Sequence, residues 1–244
     1  KGNSPVGFMK IAIIGKGRVA THMSRALQKA QHEVVMCGGK ERTQQVPVDT
    51  DVVIISIKDD AISSVSQEFA CSNALIVHTS GSVAMDAIPS KRRGVFYPMQ
   101  TFSLERNINF REVPMFLEAS SDEVMQTLEA LAESISDKHY LLSSEHRKYL
   151  HLAAVLSCNF VNHLMALSYD VLKEQDIPFE TLFPLINETI SKIRSMAPAD
   201  AQTGPAIRWD EKVMDKHVDM LTNPIHKEIY QLLSKSIHEK ALSK

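Results

Sequence analysis

The sequence predicts an α/β domain with a doubly wound parallel sheet, followed by an all-helical domain. Short apolar segments alternate with helix-forming segments through about the first 140 residues, an order typical of repeated β-α-β units. Residues 51–57 are nearly all apolar, as expected for a strand buried on both faces of a parallel sheet. Beyond residue 143 the apolar spacing is helical. We therefore expect two domains, residues 1–143 and 144–244.

The elements of the first domain follow from apolar runs and the polar residues that bound them. Ser120 or Ser121 can cap the last helix of this domain, and Asp122 and Glu123 favour its positive end. The predicted strands are residues 9–14, 33–37, 51–57, 74–78, 95–97, 115–118 and, as an edge strand, 139–142. The predicted helices are residues 21–30, 61–69 and 121–136.

Residues 38–50 form an unusually short link between two predicted strands. A crossover together with its helix needs at least ~10–12 residues, and the usual fold would place a further strand here as well. Two explanations stay open: this unit is shortened, or the sequence lacks a mobile loop.

The second half contains four helical segments, at residues 145–175, 179–196, 210–222 and 224–242. They are separated by Ala-Pro-Ala-Asp, Thr-Gly-Pro and Thr-Asn-Pro breaks, which end or interrupt helices. We find no strand candidate in this half, so an all-helical domain of about 100 residues is expected.

Composition excludes several classes of protein. The chain is 44% hydrophobic and 23% charged with a net charge of −2, which suits a globular protein and does not indicate nucleic-acid binding. Its three widely spaced cysteines do not form a disulfide framework or a zinc motif, which favours a reducing cytoplasm. We see no signal peptide and no apolar stretch of the ~18 residues that span a membrane.

A glycine motif near the N-terminus indicates dinucleotide binding. The predicted strand 9–14 runs directly into G-x-G-x-x-A and then into a helix. Gly15 permits the tight turn, Gly17 lets a pyrophosphate approach the backbone, and Ala20 lets the helix pack closely on the sheet. The helix N-terminus then offers N–H groups to the phosphates. The predicted phosphate-binding loop is Gly15, Lys16, Gly17, Arg18, Val19 and Ala20.

The end of the second strand favours NADP over NAD. NAD-binding proteins place an acid ~20 residues after the glycines to bind the ribose 2′-hydroxyl, but Cys37 stands there. Lys40, Arg42 and the Arg18 of the loop could instead hold a 2′-phosphate. Alternatively, Lys40 and Arg42 are solvated loop charges, and the nearby Glu41 weakens the distinction.

Four further motifs follow the glycine loop in a characteristic order. They are Ile57-Lys58-Asp59-Asp60-Ala61-Ile62, His78-Thr79-Ser80-Gly81-Ser82, Tyr97-Pro98-Met99-Gln100-Thr101-Phe102 and Gln202-Thr203-Gly204-Pro205-Ala206. Over residues 9–240 the chain resembles a bacterial family of Rossmann-like NADP oxidoreductases with a C-terminal domain of unknown function 2520. These proteins belong to a wider group with pyrroline-carboxylate reductase, ketopantoate reductase and the β-hydroxyacid dehydrogenases.

The resemblance implies a site between the two domains, a helical domain similar to that of 6-phosphogluconate dehydrogenase, and a homodimer. It implies that the cofactor is bound by Ser56, Ile57, Lys58, Asp59, His78, Thr79, Ser80 and Gly81. It implies that the substrate is bound by Pro98, Gln100, Thr101, Thr203 and Gly204. Alternatively, Asp59-Asp60 is a helix N-cap, and residues 79–81 form a plain turn.

The long helix carries the candidates for acid–base chemistry. Hydride transfer to a carbonyl or imine needs a proton donor beside the receiving carbon. His151 could donate the proton, and Asn159 could bond the substrate's oxygen. The α-helical spacing would place both residues on one face. In β-hydroxyacid dehydrogenases this helix carries K-x-x-x-N, but Val155 occupies the lysine position here. Alternatively, His151 is a structural histidine at the domain seam.

We therefore expect an NADP-dependent oxidoreductase that acts on a small carbonyl, imine or hydroxy compound. A non-catalytic NADP-binding sensor is the alternative, because the lysine is missing. We expect no metal site, because His146 and His151 are poorly spaced for helical ligands. A homodimer formed through the helical domain is expected, without nucleic-acid or membrane partners.

Overall fold

The computed structural model describes residues 7–243. The chain divides into two compact units, with the boundary between Cys158 and Asn159. The first unit contains the sheet with the helices that cover it, and the second unit is helical.

The described part of the first unit contains a seven-stranded sheet with the order β2-β1-β3-β4-β5-β6-β7. Every neighbouring pair is parallel except β5 and β6. The predicted parallel sheet is thus confirmed for every pair but one, and the predicted edge position of β7 is found. The strands are β1 Lys10–Ile14, β2 Glu33–Cys37, β3 Val52–Ile55, β4 Leu75–His78, β5 Arg93–Pro98, β6 Met115–Ala119 and β7 His139–Leu141.

The antiparallel pair β5–β6 departs from the expected all-parallel sheet. Residues 99–114, which connect the two strands, contain a single 3₁₀ turn at Phe110–Glu112 in this fully described segment. A parallel connection usually crosses over through an α-helix. Without such a helix the chain returns beside β5 in the opposite direction, pairing Pro98 with Met115.

Helices cover both faces of the sheet, as the doubly wound prediction requires. Along β1, Ile11 and Ile13 pack into one core with α1 and α3, whereas Ala12 and Ile14 pack into a second core with α2. This alternation is the period of two that a strand imposes. The covering helices are α1 Arg18–Lys29, α2 Asp59–Gln67 and α3 Asp122–Ile135. The side chain of Ser121 caps α3, as predicted.

The fully described segment 38–50 forms turns and bends without a helix or strand. The chain crosses from β2 past β1, and β3 pairs with β1. This connection leaves β2 at the edge of the sheet.

The first unit extends beyond the predicted limit at residue 143. It includes α4, Ser144–Ala154, and a π-helical turn, Val155–Asn159, begins before the boundary. The Arg147 side chain of α4 is buried within this unit and bonds to Glu118 of β6. This attachment explains why α4 groups with the sheet, which the sequence pattern assigned to the helical domain.

The second unit consists of helices in its described residues. They are α5 Phe160–Lys173, α6 Phe183–Ser195, α7 Glu211–Met220 and α8 Pro224–Leu242, with a 3₁₀ turn at Phe179–Leu182 before α6. Asp210 and Asn223 cap α7 and α8 with their side chains, and Pro224 occupies the first turn of α8, which suits a residue without a backbone N–H. The four predicted helical segments are recovered. Segment 224–242 keeps its bounds, segments 179–196 and 210–222 are shorter, and segment 145–175 is divided by the π turn into α4 and α5.

The helical stretch Ser144–Lys173 is long and apolar enough to cross a membrane, judged by length and composition alone. The expectation that no stretch reaches this length was therefore wrong. None of its most apolar window is buried in the structure. The same test is also passed by ordinary helices of proteins that do not enter membranes, so this stretch is weak evidence for a membrane partner.

Candidate cofactor and active site

A cavity of about 720 Å³ lies at the carboxyl edge of the sheet, where ligands bind in open α/β folds. All of its lining residues belong to the first unit. The turns after β1 to β4, the end of β5 and helix α4 contribute to it. The lining residues are Gly15, Lys16, Gly17, Arg18, Val19, Gly38, Gly39, Arg42, Ser56, Ile57, Lys58, Asp59, Thr79, Ser80, Gly81, Tyr97, Pro98, Gln100 and His151.

The glycine loop has the geometry that its motif predicts. Gly15 has a φ of +126°, and a Cβ there would lie 2.1 Å from the backbone oxygen of Ser56. Its N–H donates to the Cys37 carbonyl at 2.8 Å, which ties the loop to the end of β2. A Cβ on Gly17 would meet nothing within 4 Å, so its absence leaves open space beside the backbone. A ligand can therefore approach this turn closely.

The N-terminus of α1 faces this cavity through Gly17, Arg18 and Val19. Gly17 is the N-cap residue, and having no side chain it cannot satisfy the first N–H groups of the helix. The first turn carries Arg18 and no acidic residue. Free N–H groups, the positive helix end and a cation together favour an anion such as a pyrophosphate.

The turn after β2 presents positive charge where an NAD-binding protein has an acid. Cys37 is fully buried, and burial raises the pKa of its thiol. The side chain of Lys16 lies across Gly38, where a Cβ would come within 2.7 Å of it. Arg42 is half-buried and lines the cavity, whereas Lys40 is exposed and lies outside the lining set.

The ends of β3 and β4 are joined by side-chain bonds. Thr79 donates its hydroxyl to the Ser56 hydroxyl at 3.1 Å, and Ser82 donates to the carboxylate of Asp59. Lys58 is the N-cap residue of α2, and Asp59 follows in its first turn, where a negative charge is favourable. The N-cap alternative for Asp59 and Asp60 is therefore wrong, because both lie inside the first turn of α2, and Asp59 lines the cavity.

His78 ends β4 and is fully buried. Its Nδ1 accepts the Ser80 N–H at 3.1 Å, so its Nε2 carries the proton and donates to the Ala84 carbonyl at 3.4 Å. Burial, followed by the nearby charge of Arg147, lowers the pKa of His78 to about 4. His78 thus stabilises the turn after β4 through these two hydrogen bonds, and it is not one of the residues that line the cavity.

The side chain of Arg147 also bonds to the turn after β4. Its Nε donates to the Ser80 carbonyl at 3.2 Å and its Nη2 to the Val83 carbonyl at 2.5 Å. Its Nη1 lies 2.6 Å from Glu118, which also accepts the Ser144 hydroxyl. The arginine is 1% exposed, so its charge is balanced by the carboxylate and by backbone carbonyls.

Tyr97, His151 and Gly81 meet at the end of β5. The Tyr97 hydroxyl lies 3.3 Å from His151 Nδ1, and the two rings form a T-shaped contact with centroids 6.3 Å apart. A Cβ on Gly81 would lie 2.6 Å from that same Nδ1. Tyr97 is 9% exposed, and burial raises the pKa of its phenol. The phenol therefore keeps its proton at neutral pH.

The remaining predicted residues occupy different places. Pro98 and Gln100 line the cavity, whereas Thr101 is exposed and donates its backbone N–H to the Gln100 side chain. Ala20 is buried in the core, where its small side chain allows close packing. Asn159, Thr203 and Gly204 belong to the second unit. Their roles at the site stay predictions.

The common helical face of His151 and Asn159 assumed uninterrupted α-helical spacing. The π turn Val155–Asn159 breaks that spacing, because its hydrogen bonds close five residues apart and not four. The argument that linked these two residues by a repeat of four therefore does not apply here.

Sequence reasoning missed four residues of this region: Gly38, Gly39, Tyr97 and Arg147. Tyr97 stands in the Tyr-Pro-Met-Gln motif, but the sequence assigns substrate binding to Pro98 and Gln100 and not to Tyr97. Arg147 carried no signal, because a single arginine on an amphipathic helix is ordinarily exposed. Among residues 7–243 no group of three or more histidine, cysteine, aspartate or glutamate side chains could hold a metal ion.

Comparison with known proteins shows the family. Residues 113–237 match the family described as Domain of unknown function (DUF2520). The crystal structure of the putative NADP oxidoreductase BF3122 from Bacteroides fragilis shares 39% sequence identity over 97% of this chain and 100% of that one, with a TM-score of 0.87. The chain belongs to the DUF2520 family. The chain has the Rossmann-like fold of NAD(P)-binding oxidoreductases. These similarities do not identify its substrate.

Two more distant structures share the fold. The 1-pyrroline-5-carboxylate reductase of Streptococcus pyogenes has a TM-score of 0.61 at 16% identity, over 97% of this chain and 99% of that one. The imine reductase of Myxococcus stipitatus, in complex with NADP⁺, has a TM-score of 0.63 at 12% identity, over 96% and 93%. No curated protein matches the DUF2520 chain significantly.

Proposed function

We propose that this DUF2520 protein is an NADP-dependent oxidoreductase. It passes a hydride between the nicotinamide and a small carbonyl, imine or hydroxy compound. One observation carries the proposal: the glycine loop around Gly17 and the Tyr97–His151 pair line the same cavity. A site for a dinucleotide and a pair able to move a proton are the two parts that such a reaction needs.

The described residues fit the cofactor. The open backbone at Gly17 and the N-terminus of α1 suit the pyrophosphate, and Arg42 with Lys16 suits a 2′-phosphate. The residues after β3 and β4, from Ser56 to Asp59 and from Thr79 to Gly81, would hold the nicotinamide half. The bound cofactor supplies the hydride, and the protein orients it and manages the proton.

His151 takes part in the acid–base chemistry of the proposed reaction. It lies on α4 at the end of the cavity formed by Tyr97, Pro98 and Gln100, which is where the substrate would bind. Asn159, Thr203 and Gly204 are proposed to contact the substrate. Val155 takes the place of the lysine donor found in β-hydroxyacid dehydrogenases, so proton transfer here must use other groups.

A non-catalytic NADP sensor is the second candidate. The absence of the lysine at Val155 favours it. The hydroxyl of Tyr97 beside His151 favours the enzyme, because a sensor has no need for a proton-transfer pair next to its cofactor. We also propose a homodimer formed through the helical unit. A reducing cytoplasmic location suits the three free cysteines.

Titration calorimetry with NADPH and NADH tests the cofactor proposal. We expect NADPH to bind at least about tenfold more tightly, a difference of about 1.4 kcal/mol. Arg42→Met should remove most of that preference, because it deletes the half-buried cation of the cavity. Lys40→Met is the matched control, and it should leave the preference unchanged, because Lys40 lies outside the lining set. Tighter binding of NADH, or no binding of either, would contradict the proposal.

A further inference from the structure

We propose that Tyr97 is the residue that delivers the proton to the substrate, and that His151 positions and recharges it. This rests on the proposed oxidoreductase function and assigns a catalytic role to a residue outside the predicted site. The substrate class is a compound with a carbonyl oxygen or an imine nitrogen that gains one proton as its carbon gains the hydride.

The position of Tyr97 supports direct contact with the substrate. It lies at the carboxyl end of β5, a central strand flanked by β4 and β6, and it lines the cavity together with Gly81 of the neighbouring turn. Its ring is anchored by Phe116, with centroids 6.3 Å apart. A side chain fixed on a strand offers a more precise position than one on a loop.

The hydrogen bond between Tyr97 Oη and His151 Nδ1 supports the division of roles. A phenol carries a proton at neutral pH that it can donate to a substrate. His151 is partly exposed and can exchange protons with water. The phenol is therefore suited to face the substrate, and the imidazole is suited to return the lost proton.

The proposed step transfers one hydride and one proton to the substrate. The hydride forms a C–H bond on the substrate carbon, and the π electron pair of the C=O or C=N bond moves to the heteroatom. That pair takes the Tyr97 proton, so the phenolic O–H bond breaks and an O–H or N–H bond forms on the substrate. His151, protonated on both ring nitrogens, then gives its Nδ1 proton to the phenolate and becomes a neutral imidazole, which takes up the next proton from water.

Gly81 makes this arrangement possible. A Cβ at this position would lie 2.6 Å from His151 Nδ1 and 3.0 Å from Cζ of Tyr97. Real Cβ atoms do not approach other atoms this closely, so a methyl group would drive the pair apart. The glycine thus provides a way to disturb the pair without altering either of its members.

Tyr97→Phe tests the proposal in two assays. The first follows NADPH oxidation with three probes, methylpyrroline, cyclohexanone and glyoxylate. We expect kcat to fall by about 100-fold, the usual size of a general-acid contribution, with the Kd for NADPH unchanged within about twofold. The second assay uses the protein alone. The ¹⁵Nδ1 chemical shift of His151 should move in Tyr97→Phe, since the hydrogen bond is lost.

The controls separate proton delivery from a structural role. Tyr149→Phe removes a hydroxyl from an exposed tyrosine on the same helix as His151, and it should change neither readout. Gly81→Ala should lower kcat and move the His151 shift. His151→Asn retains an amide near the Nδ1 position and should lose less activity than Tyr97→Phe.

The outcomes distinguish this proposal from the proposed function. Wild-type protein that does not bind NADPH contradicts the oxidoreductase function itself. Wild-type protein that binds NADPH but reduces none of the probes contradicts the proposed substrate class, and an unchanged ¹⁵Nδ1 shift of His151 in Tyr97→Phe contradicts the Tyr97–His151 pair itself. Full activity in Tyr97→Phe makes His151 the direct donor and overturns the inference. If Tyr97→Phe loses NADPH affinity by the same factor as kcat, the role of Tyr97 is structural only, and this result would also overturn the inference.

Discussion

The turn after β1 and the turn after β4 line the same cavity but are held in different ways. The first turn, residues 15–17, is shaped by the residues that form it. Gly15 adopts a positive φ where a side chain would collide with Ser56, and Gly17 leaves the backbone open. Its longer-range tie, to the Cys37 carbonyl, is a backbone bond.

The turn after β4, residues 79–84, is held by side chains from elsewhere in the chain. Arg147 of α4 bonds to the carbonyls of Ser80 and Val83, and Glu118 of β6 balances its charge. The buried His78 ring bonds to the Ser80 N–H and to the Ala84 carbonyl of this turn. One turn is therefore encoded by a local motif, and the other depends on a buried ionic network that forms when the first unit folds.

This difference predicts which substitutions damage folding and which damage binding. A buried network is costly to break, because each lost partner leaves a charge or carbonyl unsatisfied away from water. A glycine turn is costly to fill, because a side chain meets the backbone or the ligand. Three predictions test the contrast, from the largest expected effect to the smallest.

Arg147→Met should have the largest effect. It leaves Glu118 without its partner and the Ser80 and Val83 carbonyls without their donor, so the free energy of unfolding should fall by about 3–5 kcal/mol. Urea denaturation followed by circular dichroism measures this change.

Arg92→Met is the matched control for this prediction. Arg92 pairs with Glu123, and both side chains are well exposed, so the loss should stay below about 1 kcal/mol. If the two variants are equally stable, the network around Arg147 does not hold the turn in the way described.

The pH dependence of stability should report on His78. Its pKa is about 4 in the folded protein, below the ordinary value of 6.5, so the unfolded chain binds a proton more readily. Stability is then highest above pH 6.5 and falls as the pH is lowered towards 4, by about 3 kcal/mol in total. Protonation would also turn Nδ1 from an acceptor into a donor facing the Ser80 N–H.

His78→Asn isolates this contribution, because asparagine does not titrate. Burial also lowers the pKa of His32, which adds a slope of the same sign in both proteins. The measurement is therefore the difference between wild type and variant in unfolding free energy from pH 7 to pH 4. Parallel curves for the two proteins would show that His78 is not held neutral in the turn.

Gly15→Ala and Gly17→Ala should separate stability from binding. At Gly15 the positive φ and the collision with Ser56 should cost about 2–3 kcal/mol of unfolding free energy. At Gly17 a methyl group meets nothing in the protein, so stability should change by less than about 0.5 kcal/mol. NADPH affinity should nevertheless fall by about tenfold, or 1.4 kcal/mol. Unchanged affinity would show that the pyrophosphate does not lie against Gly17.

Much of the fold could be predicted because its signals are local. The apolar runs of β1, β3 and β4 identified buried strands, and Ser121 marked the start of α3. The direction of β6 could not be predicted, because it depends on how residues 99–114 return beside β5. The position of α4 in the first unit also could not be predicted, because it depends on the long-range contact of Arg147 with Glu118.

The sequence by itself determined the α/β order, the glycine loop and the positive charge near the end of β2. These features follow from short-range sterics and from the residue types within a few positions of each other. The tertiary structure alone decided that Tyr97 contacts His151 and that the side chains of Arg147 and His78 are buried. These residues are far apart in the chain, and only the packing of α4 against the carboxyl edge of the sheet brings them within bonding distance.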